Sequence, residues 1–412
     1  MSYTGTTGSI PQRYPISASN ENSQLLTSRS KHNTYSNINH TNNEGNANSI
    51  EKNDKDKAQK KSGGKLGTFD GVFLPVTLNV LSILMFLRFG FIIGQMGILG
   101  TIFLLVLSYL IDALTTLSIS AISTNGTVKG GGAYYMISRS LGPEFGGAIG
   151  IIFVIGQILN SALNVVGFIE PLLVNFGVGG DMADILPTGY FWLVMYSTIL
   201  LAICTGVAMV GSLLVSKTAL FLFIILTIST LSIPVSTIFV KSFYPLPPPC
   251  ADILYTGLSW KTFFENLYPN FTSGAAGSVL PSGQKENFTD LFGIFFPATA
   301  GIFAGASMLG ELKSPSKSIP KGTIKGLFLT FVLYISVIVS MGAAIPRELL
   351  YVDIKVIQTV NISSIVIILG EFSTSLFSVI MGIVGASAMI TAIADDKIIP
   401  GLSSFTTLKK SP

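Results

Sequence analysis

The apolar sequence around the stretch FFPATAGIFAG, residues 295–305, is interrupted by a proline and two glycines. Pro297 has no backbone N–H to donate, and its ring clashes with the preceding helical turn. Gly301 and Gly305 lower the cost of unwinding. The stretch therefore predicts a helix that breaks near Pro297–Gly301. The alternative is a kinked helix whose glycines allow close packing, as is common in membrane helices.

The composition is that of a membrane protein. The 412 residues are 49% hydrophobic and only 11% charged, and the mean hydropathy is +0.62, well outside the averages for soluble domains. Nine of the 25 Lys and Arg and five of the 21 Asp and Glu lie in residues 1–65, so the net charge of +4 belongs to this segment. The remainder has no basic face with interleaved aromatic residues, so nucleic acid is not expected as a partner.

Few residues suit enzyme chemistry. Both histidines, His32 and His40, precede the apolar region, which excludes imidazole there as a proton relay, metal ligand or activator of a nucleophile. The two cysteines, Cys204 and Cys250, make neither a disulfide framework nor a metal site. We therefore predict that the chain is not an enzyme and uses no cofactor.

Two parts of different composition are predicted. Residues 1–65 are rich in Ser, Asn and Thr and end in a lysine-dominated run, which predicts a disordered tail. Lysines directly before the first span predict that this tail lies in the cytosol. The lysine run is equally compatible with a solvated linker in the same topology. Residues 66–412 form the predicted transmembrane domain, and no cleavable signal peptide precedes it.

Eight apolar stretches are long enough to cross about 30 Å of hydrocarbon as helices. From a cytosolic tail, the long loop 241–288 then falls on the outer or lumenal side. It carries two sequons, Asn270-Phe-Thr and Asn287-Phe-Thr, which makes both asparagines candidates for glycosylation. The stretches are 71–96, 98–122, 145–176, 189–210, 216–240, 289–310, 323–345 and 362–394.

The first of these spans also contains a suspect segment. Pro75 is followed by the polar pair Asn79 and Ser82 within the stretch NVLSIL, residues 79–84. The pair indicates either a second break or a satisfied polar contact inside a helix bundle. Spans one and six are five apart, where a transporter built from inverted five-helix repeats places its discontinuous helices. Broken backbone at membrane depth must line a cavity or be buried in protein, so we predict a site between these spans.

Motifs at these residues resemble those of the cation-chloride cotransporters, over essentially all of residues 66–412. In detail the chain is most similar to the fungal vacuolar branch. The resemblance implies an all-α polytopic protein with the inverted-repeat, LeuT-like fold of the amino acid-polyamine-organocation transporters, with discontinuous first and sixth helices. The matching runs include GTFDGVFLP at 67–75, GGAYYMISRSLGPEFGG at 131–147, GIFFP at 293–297, KSIPKGT at 317–323 and DKIIP at 396–400.

The function implied by the resemblance is electroneutral cotransport of K⁺ with Cl⁻ by alternating access. The vacuolar membrane is the expected location, with the plasma membrane as the alternative. Expected partners are the lipid bilayer and the two ions, and the full-length form is expected to be a homodimer.

Ion-site residues follow from the same resemblance. A bare cation needs several oxygens in place of its hydration shell, and unsatisfied amides at a helix start suit an anion. The implied potassium ligands are backbone oxygens of Asn79 and Val80, a tyrosine of the third span at Tyr134, and oxygens at Pro297 and Thr299. The implied chloride ligands are the backbone amides of Ser82, Ile83, Leu84, Gly301, Ile302 and Phe303.

Three departures from the family pattern affect these sites. Ser82 stands where glycine is usual. The family's threonine position is Ala300 here, with Thr299 one residue earlier. Phe377 and Ser378 stand where the Na⁺-coupled branch has paired serines, so we predict transport that does not require Na⁺.

Four ionisable residues fall within the predicted spans, where charge is costly and a functional role is the default hypothesis. Arg88 is interpreted as an anchor, and Glu170 and Glu371 as structural. Asp112 is outside the family pattern and either takes part in transport, by pairing with a cation or by titrating, or is structural.

Two other functions stay open. One is an amino-acid permease on the same architecture. The other is a non-transporting membrane scaffold or regulator, because about eight spans end at Pro412 whereas two five-helix repeats require ten. On this reading the chain is a truncated form of the transporter domain.

Overall fold

The structure, a computed structural model, describes residues 65–124, 132–180, 182–247, 250–281 and 283–397. The chain divides into two units, Met1–Lys60 and Lys61–Pro412, and every described residue belongs to the second. The predicted tail thus lies outside the described residues except for Lys65. Regular structure in the described part is helical, with β-bridges only as isolated pairs such as Leu66 with Leu312.

Seven helical segments of the described chain are long and apolar enough to cross a membrane. The first, Phe69–Thr124, has 56 residues, about 84 Å at 1.5 Å per residue, which is almost three times the hydrocarbon thickness. It divides at Gly97, whose backbone angles (φ 64°, ψ −178°) are not helical. One membrane crossing on each side of Gly97 accounts for the length, so these seven segments supply the eight predicted spans.

Glycine is required at this division. A positive φ is costly for residues that have a Cβ, and a Cβ here would lie 2.5 Å from the carbonyl oxygen of Tyr268. The amides of Ile98 and Leu99 donate to the carbonyls of Asn266 (2.8 Å) and Leu267 (3.1 Å). The loop after the fifth span therefore pairs with the start of the second span.

The first span begins with a π-helical turn, Phe69–Phe73, continues as the helix Leu74–Val80 and resumes at Ile83. Four short helices connect the spans: Gly132–Leu141, Trp260–Glu265, Arg347–Val352 and Val356–Thr359. The unbroken later spans are the third, Pro143–Phe176; the fourth, Tyr190–Val210; the fifth, Ser212–Phe239; the seventh, Pro315–Ala344; and the eighth, Ser364–Asp395.

The sixth span is broken at the predicted place. Its first helix, Phe288–Phe295, ends two residues before Pro297. Short turns follow in place of a continuous helix, so the alternative of a simple kink is wrong. These turns are Phe296–Ala298, Gly301–Phe303, Ala304–Ser307 and Leu309–Glu311.

The broken segments lie in the interior of the bundle. The eighth span packs against the third and fifth, and the seventh packs against the first and second. Val80, Leu81 and Ala298 at the breaks are fully buried. By contrast, large apolar side chains of the third and fourth spans are exposed, among them Ile152 and Phe191, as expected for surfaces that face lipid. The described chain is therefore an all-helical, multi-pass membrane protein with discontinuous first and sixth helices.

Candidate functional site

The two broken helices meet at Gly301. A Cβ on this residue would lie 2.6 Å from the carbonyl oxygen of Asn79 and 2.6 Å from the amide nitrogen of Val80, distances that real Cβ atoms do not reach. The missing side chain therefore lets the backbone of the sixth span lie directly on the break of the first span.

The break in the first span lies at Leu81, whose angles (φ −76°, ψ 71°) are not helical. The amide of Ser82 turns back to donate to the carbonyl of Val80 (2.9 Å), and the helix resumes at Ile83. The hydroxyl of Thr374 in the eighth span donates to the carbonyl of Leu81 (2.6 Å). A side chain of another span thus replaces a hydrogen bond that the broken helix cannot make.

A tyrosine of the seventh span links the two breaks. The hydroxyl of Tyr334 lies 2.6 Å from the carbonyl oxygen of Val80 and 3.2 Å from that of Ala298. The side chain is fully buried, and its ring packs against Phe89 with centroids 5.2 Å apart. Since backbone polar groups in a membrane must find protein partners, the single proton of the Tyr334 hydroxyl is shared between the carbonyl of Ala298 and that of Val80, which also accepts from the amide of Ser82.

A cavity of about 360 Å³ lies beside the breaks. It is bounded by the first, third, sixth and eighth spans, and none of its described lining residues carries a charge. Its polar side chains are amides and hydroxyls. They belong to Asn79 and Ser82 of the first span, Gln157, Asn160 and Asn164 of the third, Ser307 of the sixth and Ser378 of the eighth.

Three oxygens of lining residues are of special interest among those with no hydrogen-bond donor in the described part of the chain. Two are the backbone carbonyls of Asn79 and Pro297, which the helix breaks release. The third is the side-chain oxygen of Asn164, a residue that is only 4% exposed. A buried acceptor without a donor is unfavourable, so these oxygens suit a cation or a polar ligand in the cavity.

Amides at the helix restarts are also partly unpaired. Ile83 is the first residue of the resumed helix and Ile302 lies in the first turn after the second break; amides in a first helical turn have no carbonyl of their own helix to donate to, and neither amide donates to a carbonyl outside the helices of the described chain. Both residues are buried. The amides of Ser82 and Gly301 donate to backbone carbonyls, each at 2.9 Å. That of Leu84 lies 3.4 Å from the Ser82 hydroxyl. The amides of Ile83 and Ile302 are therefore open, whereas those of Ser82, Leu84 and Gly301 already have acceptors.

The predicted site residues divide into two groups. The first group lines the cavity, and the second is buried in the surrounding protein or lies elsewhere. Asn79, Ser82, Pro297, Gly301 and Phe303 are in the first group; Val80, Ile83, Leu84, Tyr134, Thr299 and Ile302 are not among the lining residues.

Two predicted potassium ligands already have partners in the protein. The Val80 carbonyl accepts from Tyr334 and from the amide of Ser82. The Thr299 hydroxyl donates to the carbonyl of Phe296 (3.1 Å) and interacts with the carboxylate of Asp112 in the second span. Thr299 is also not among the described lining residues of the cavity, so the structure does not bring its hydroxyl to the position of Ala300, which does line it.

The placement of Tyr134 in the third span is wrong. The residue lies on the helix Gly132–Leu141, and the third span starts later, at Pro143. Its hydroxyl donates to a carboxylate oxygen of Asp396 (2.5 Å) after the eighth span, and its ring belongs to a small apolar cluster with Met389. Tyr134 thus does not line the cavity with Asn79 and Pro297, although its cluster packs against Phe153 and Phe303, which do.

The third span contributes amides to the cavity that were not predicted. Gln157, Asn160 and Asn164 follow one another at intervals of three and four residues, which places them on one face of a helix. The sequence signal was available, since three amides at helical spacing are unusual in an apolar span.

Both candidate glycosylation sites are exposed. The backbone carbonyl of Asn270 accepts from the hydroxyl of Tyr351 (2.7 Å). The side-chain oxygen of Asn287 caps the sixth span by accepting from the amide of Asp290 (3.0 Å). In each case the side-chain nitrogen that a glycan would modify has no hydrogen-bond acceptor among the described residues.

The broken helices, the joint at Gly301 and the polar cavity are the features of a membrane transporter of the inverted-repeat class. The amino acid permease family matches residues 71–412, and the chain belongs to this family. Its members are transporters rather than enzymes, which confirms the prediction that the chain is not an enzyme.

One of the relatives is named a cation-chloride cotransporter, and the resemblance found in the motifs is confirmed. The chain is 54% identical over 396 residues to vacuolar cation-chloride cotransporter 1 of Saccharomyces cerevisiae, covering 95% of this chain and 34% of that protein. It is 47% identical over 348 residues to an uncharacterized transporter of Schizosaccharomyces pombe, covering 84% and 32%. Solute carrier family 12 member 9 of Danio rerio is 37% identical over 347 residues, covering 81% and 38%. The chain thus spans about a third of the length of each relative.

Proposed function

We propose that the chain forms the ion-binding part of an electroneutral cotransporter that moves K⁺ with Cl⁻ by alternating access. The names of the relatives support a cation and chloride as substrates. The observation that carries the proposal is the cavity at the joint of two broken helices, because it offers open backbone groups and no charged side chain. An uncharged cavity favours a cation and an anion that arrive together.

The proposed potassium site consists of three oxygens: the carbonyls of Asn79 and Pro297 and the side-chain oxygen of Asn164. All three lack a donor among the described residues, and their residues line one cavity. A monovalent cation is bound by replacing its hydration water with such oxygens. Asn164 takes the place that the resemblance gave to Tyr134.

The proposed chloride site uses backbone amides where the half-helices restart. The open amides of Ile83 and Ile302 carry the positive end of a helix dipole, which attracts an anion without a buried Lys or Arg. Both residues adjoin cavity-lining ones, Ser82 and Gly301. A small shift of either restart would bring its amide to the cavity.

Transport without Na⁺ is supported by the eighth span. Ser378 lines the cavity, but the second position that would carry a serine in the Na⁺-coupled branch is Phe377, which is fully buried. A sodium site there lacks one oxygen. Moving K⁺ with Cl⁻ alone carries no net charge, so the membrane potential, at about 2.3 kcal/mol per charge per 100 mV, does not oppose it.

The proposed location is the vacuolar membrane, after the printed name of the yeast relative, with the plasma membrane as the alternative. The lysine run before the first span supports a cytosolic N-terminus as part of the proposal. The loop 241–288 then faces the lumen, where Asn270 and Asn287 are proposed glycosylation sites. A homodimer is proposed for the longer form.

An amino-acid permease is the second candidate. The family match favours it, and a cavity of about 360 Å³ is larger than two dehydrated ions need. The amides of Gln157, Asn160 and Asn164 could bind the amine and carboxylate of a small amino acid.

The experiment uses residues 1–412 joined to the remaining part of the yeast relative, reconstituted in liposomes. We expect uptake of ⁸⁶Rb⁺ that requires external chloride. Asn164→Leu should abolish it, because the side-chain oxygen is lost. Tyr134→Phe should keep the affinity for Rb⁺, because Tyr134 lies outside the cavity.

Chloride-independent uptake of a labelled amino acid would favour the permease instead. Full uptake by Asn164→Leu, with loss of affinity in Tyr134→Phe, would contradict the proposed potassium site and restore the ligand implied by the resemblance.

A further inference from the structure

The second span presents a buried polar stripe towards the protein interior. Ser108, Asp112 and Thr116 recur at intervals of four residues, on one face of the helix. All three are at most 2% exposed. Ser108 and Thr116 have hydroxyls without a hydrogen-bond partner among the described residues, and one carboxylate oxygen of Asp112 is also without one.

Asp112 has no counter-charge among the described residues. None of the described Lys and Arg residues forms an ion pair with it, and the ion pair formed by Lys261 and Glu265 lies in the loop after the fifth span. An ionised carboxylate is strongly disfavoured in a buried, low-dielectric site without a cation. The group must therefore either bind a cation or hold a proton.

The neighbours of Asp112 connect it to the broken sixth span. The Thr299 hydroxyl interacts with its carboxylate, and Thr299 lies two residues after Pro297. The described titratable groups that interact electrostatically with Asp112 are the phenols of Tyr109, on the same span, and Tyr334, on the seventh. Both phenols are uncharged at neutral pH, so neither offsets a negative charge on Asp112.

We propose that Asp112 is a proton-binding site whose occupancy is linked, through Thr299, to ion binding in the cavity. Part of this inference, the link to ion binding, rests on the proposed function; the proton site itself does not. A proton needs one oxygen, whereas Na⁺ or K⁺ needs several. Binding forms an O–H bond on the Asp112 carboxylate with a proton from water, and release returns the proton to water.

The link follows from the single proton of the Thr299 hydroxyl. When Asp112 is ionised, its carboxylate competes for this proton with the Phe296 carbonyl, to which Thr299 donates at 3.1 Å. When Asp112 is protonated, its carboxyl group no longer competes for the proton of the Thr299 hydroxyl. Thr299 then keeps its hydrogen bond to the carbonyl of Phe296. The turn Phe296–Ala298 contains Pro297, which lines the cavity. The hydrogen bonding of this turn therefore differs between the ionised and the protonated state of Asp112.

Infrared spectroscopy of the reconstituted full chain tests the proton site. A protonated carboxyl has a C=O stretching band that disappears on ionisation. In Asp112→Asn, we expect the intensity of this band to decrease by the amount of one carboxyl per chain. The substitution keeps the size of the side chain and removes the acidic group. Asp112→Glu should retain a carboxyl band. Glu371 is a second buried carboxyl, in the eighth span. Glu371→Gln should leave the Asp112 band in place. Identical carboxyl bands in wild type and Asp112→Asn, across the pH range, would overturn the proposal.

The link is tested on the same band. Adding RbCl should shift the pH at which the Asp112 band titrates, and Thr299→Val should remove the shift while keeping the band. Thr227→Val is the matched control, because the Thr227 hydroxyl donates to its own helix, at Phe223 (2.7 Å). A band that does not move with RbCl in wild type would overturn the link. Absent Rb⁺ uptake with the band present would count against the proposed transport function alone.

Discussion

Single side chains replace the hydrogen bonds that two helices lose where they break. Thr374 donates to the first span at Leu81, and Tyr334 reaches Val80 of the first span and Ala298 of the sixth. These carbonyls are at membrane depth, where water is not available as a partner. The breaks are therefore held from the seventh and eighth spans by two hydroxyls.

Tyr334→Phe removes one of these hydroxyls and keeps the ring. We expect it to destabilise the protein by about 1–3 kcal/mol, the cost of leaving buried acceptors unsatisfied. Thermal unfolding in detergent measures the change. The matched control is Tyr255→Phe, since the buried Tyr255 hydroxyl has no partner among the described residues. Equal loss of stability in the two variants would show that Tyr334 acts by packing alone.

Tyr255 also predicts a dependence on alkaline pH. It lies in the loop after the fifth span, and burial raises its pKa from 10.0 to about 12. The folded chain holds this proton more tightly than the unfolded chain, so the contribution to stability is complete below pH 10.0 and is lost as pH rises through 12. Between pH 9 and 11.5, we expect the melting temperature of Tyr255→Phe to fall less than that of wild type. Parallel curves of melting temperature against pH for wild type and Tyr255→Phe would contradict this expectation.

At the scale of elements, contact between the first and sixth spans depends on Gly301. An added methyl would meet the backbone of Asn79 and Val80 at 2.6 Å, and backbone cannot move aside as a flexible side chain can. Gly293 lies in the intact first helix of the same span, with open space where a Cβ would be. The two glycines therefore differ in their surroundings and in their backbone, since Gly301 opens the short turn Gly301–Phe303.

Gly301→Ala should therefore separate the broken helices, with a loss of about 1–3 kcal/mol typical of overpacking, and should abolish coupled uptake. Gly293→Ala should be neutral or stabilising, because alanine favours helix by about 1 kcal/mol over glycine. Thermal unfolding and ⁸⁶Rb⁺ uptake of the two variants check both points. Wild-type uptake by Gly301→Ala would show that the joint is not essential.

Breaks that arise from local chemistry were predictable from sequence. Pro297 ends the helix Phe288–Phe295 by its own geometry, and the boundary at Gly97 is marked by the two apolar runs on each side. Contacts that arise from tertiary packing were not. Nothing near Tyr334 in the sequence distinguishes it from a core tyrosine. Tyr134 was placed in the third span because its motif is shared with the family, but a shared motif does not say which element carries it.

At the scale of the whole molecule, the cavity joins spans that are distant in sequence. Asn79 and Ser378, which both line it, are about 300 residues apart. The described lining residues of the cavity carry no charge, and Asp112, which interacts with Thr299, is not among them. The proposed ion-pair site and the proposed proton site are therefore different sites, and both involve the broken sixth span.

The measurement that tests the central claim most directly is uptake of ⁸⁶Rb⁺ and ³⁶Cl⁻ in the same liposomes. They contain residues 1–412 joined to the remaining part of the yeast relative, without Na⁺ and with the membrane potential clamped at different values. We expect the uptake of each ion to require the presence of the other, and we expect neither uptake rate to change with the membrane potential. Uptake of Rb⁺ without chloride, or a rate that follows the potential, would contradict paired transport of K⁺ and Cl⁻.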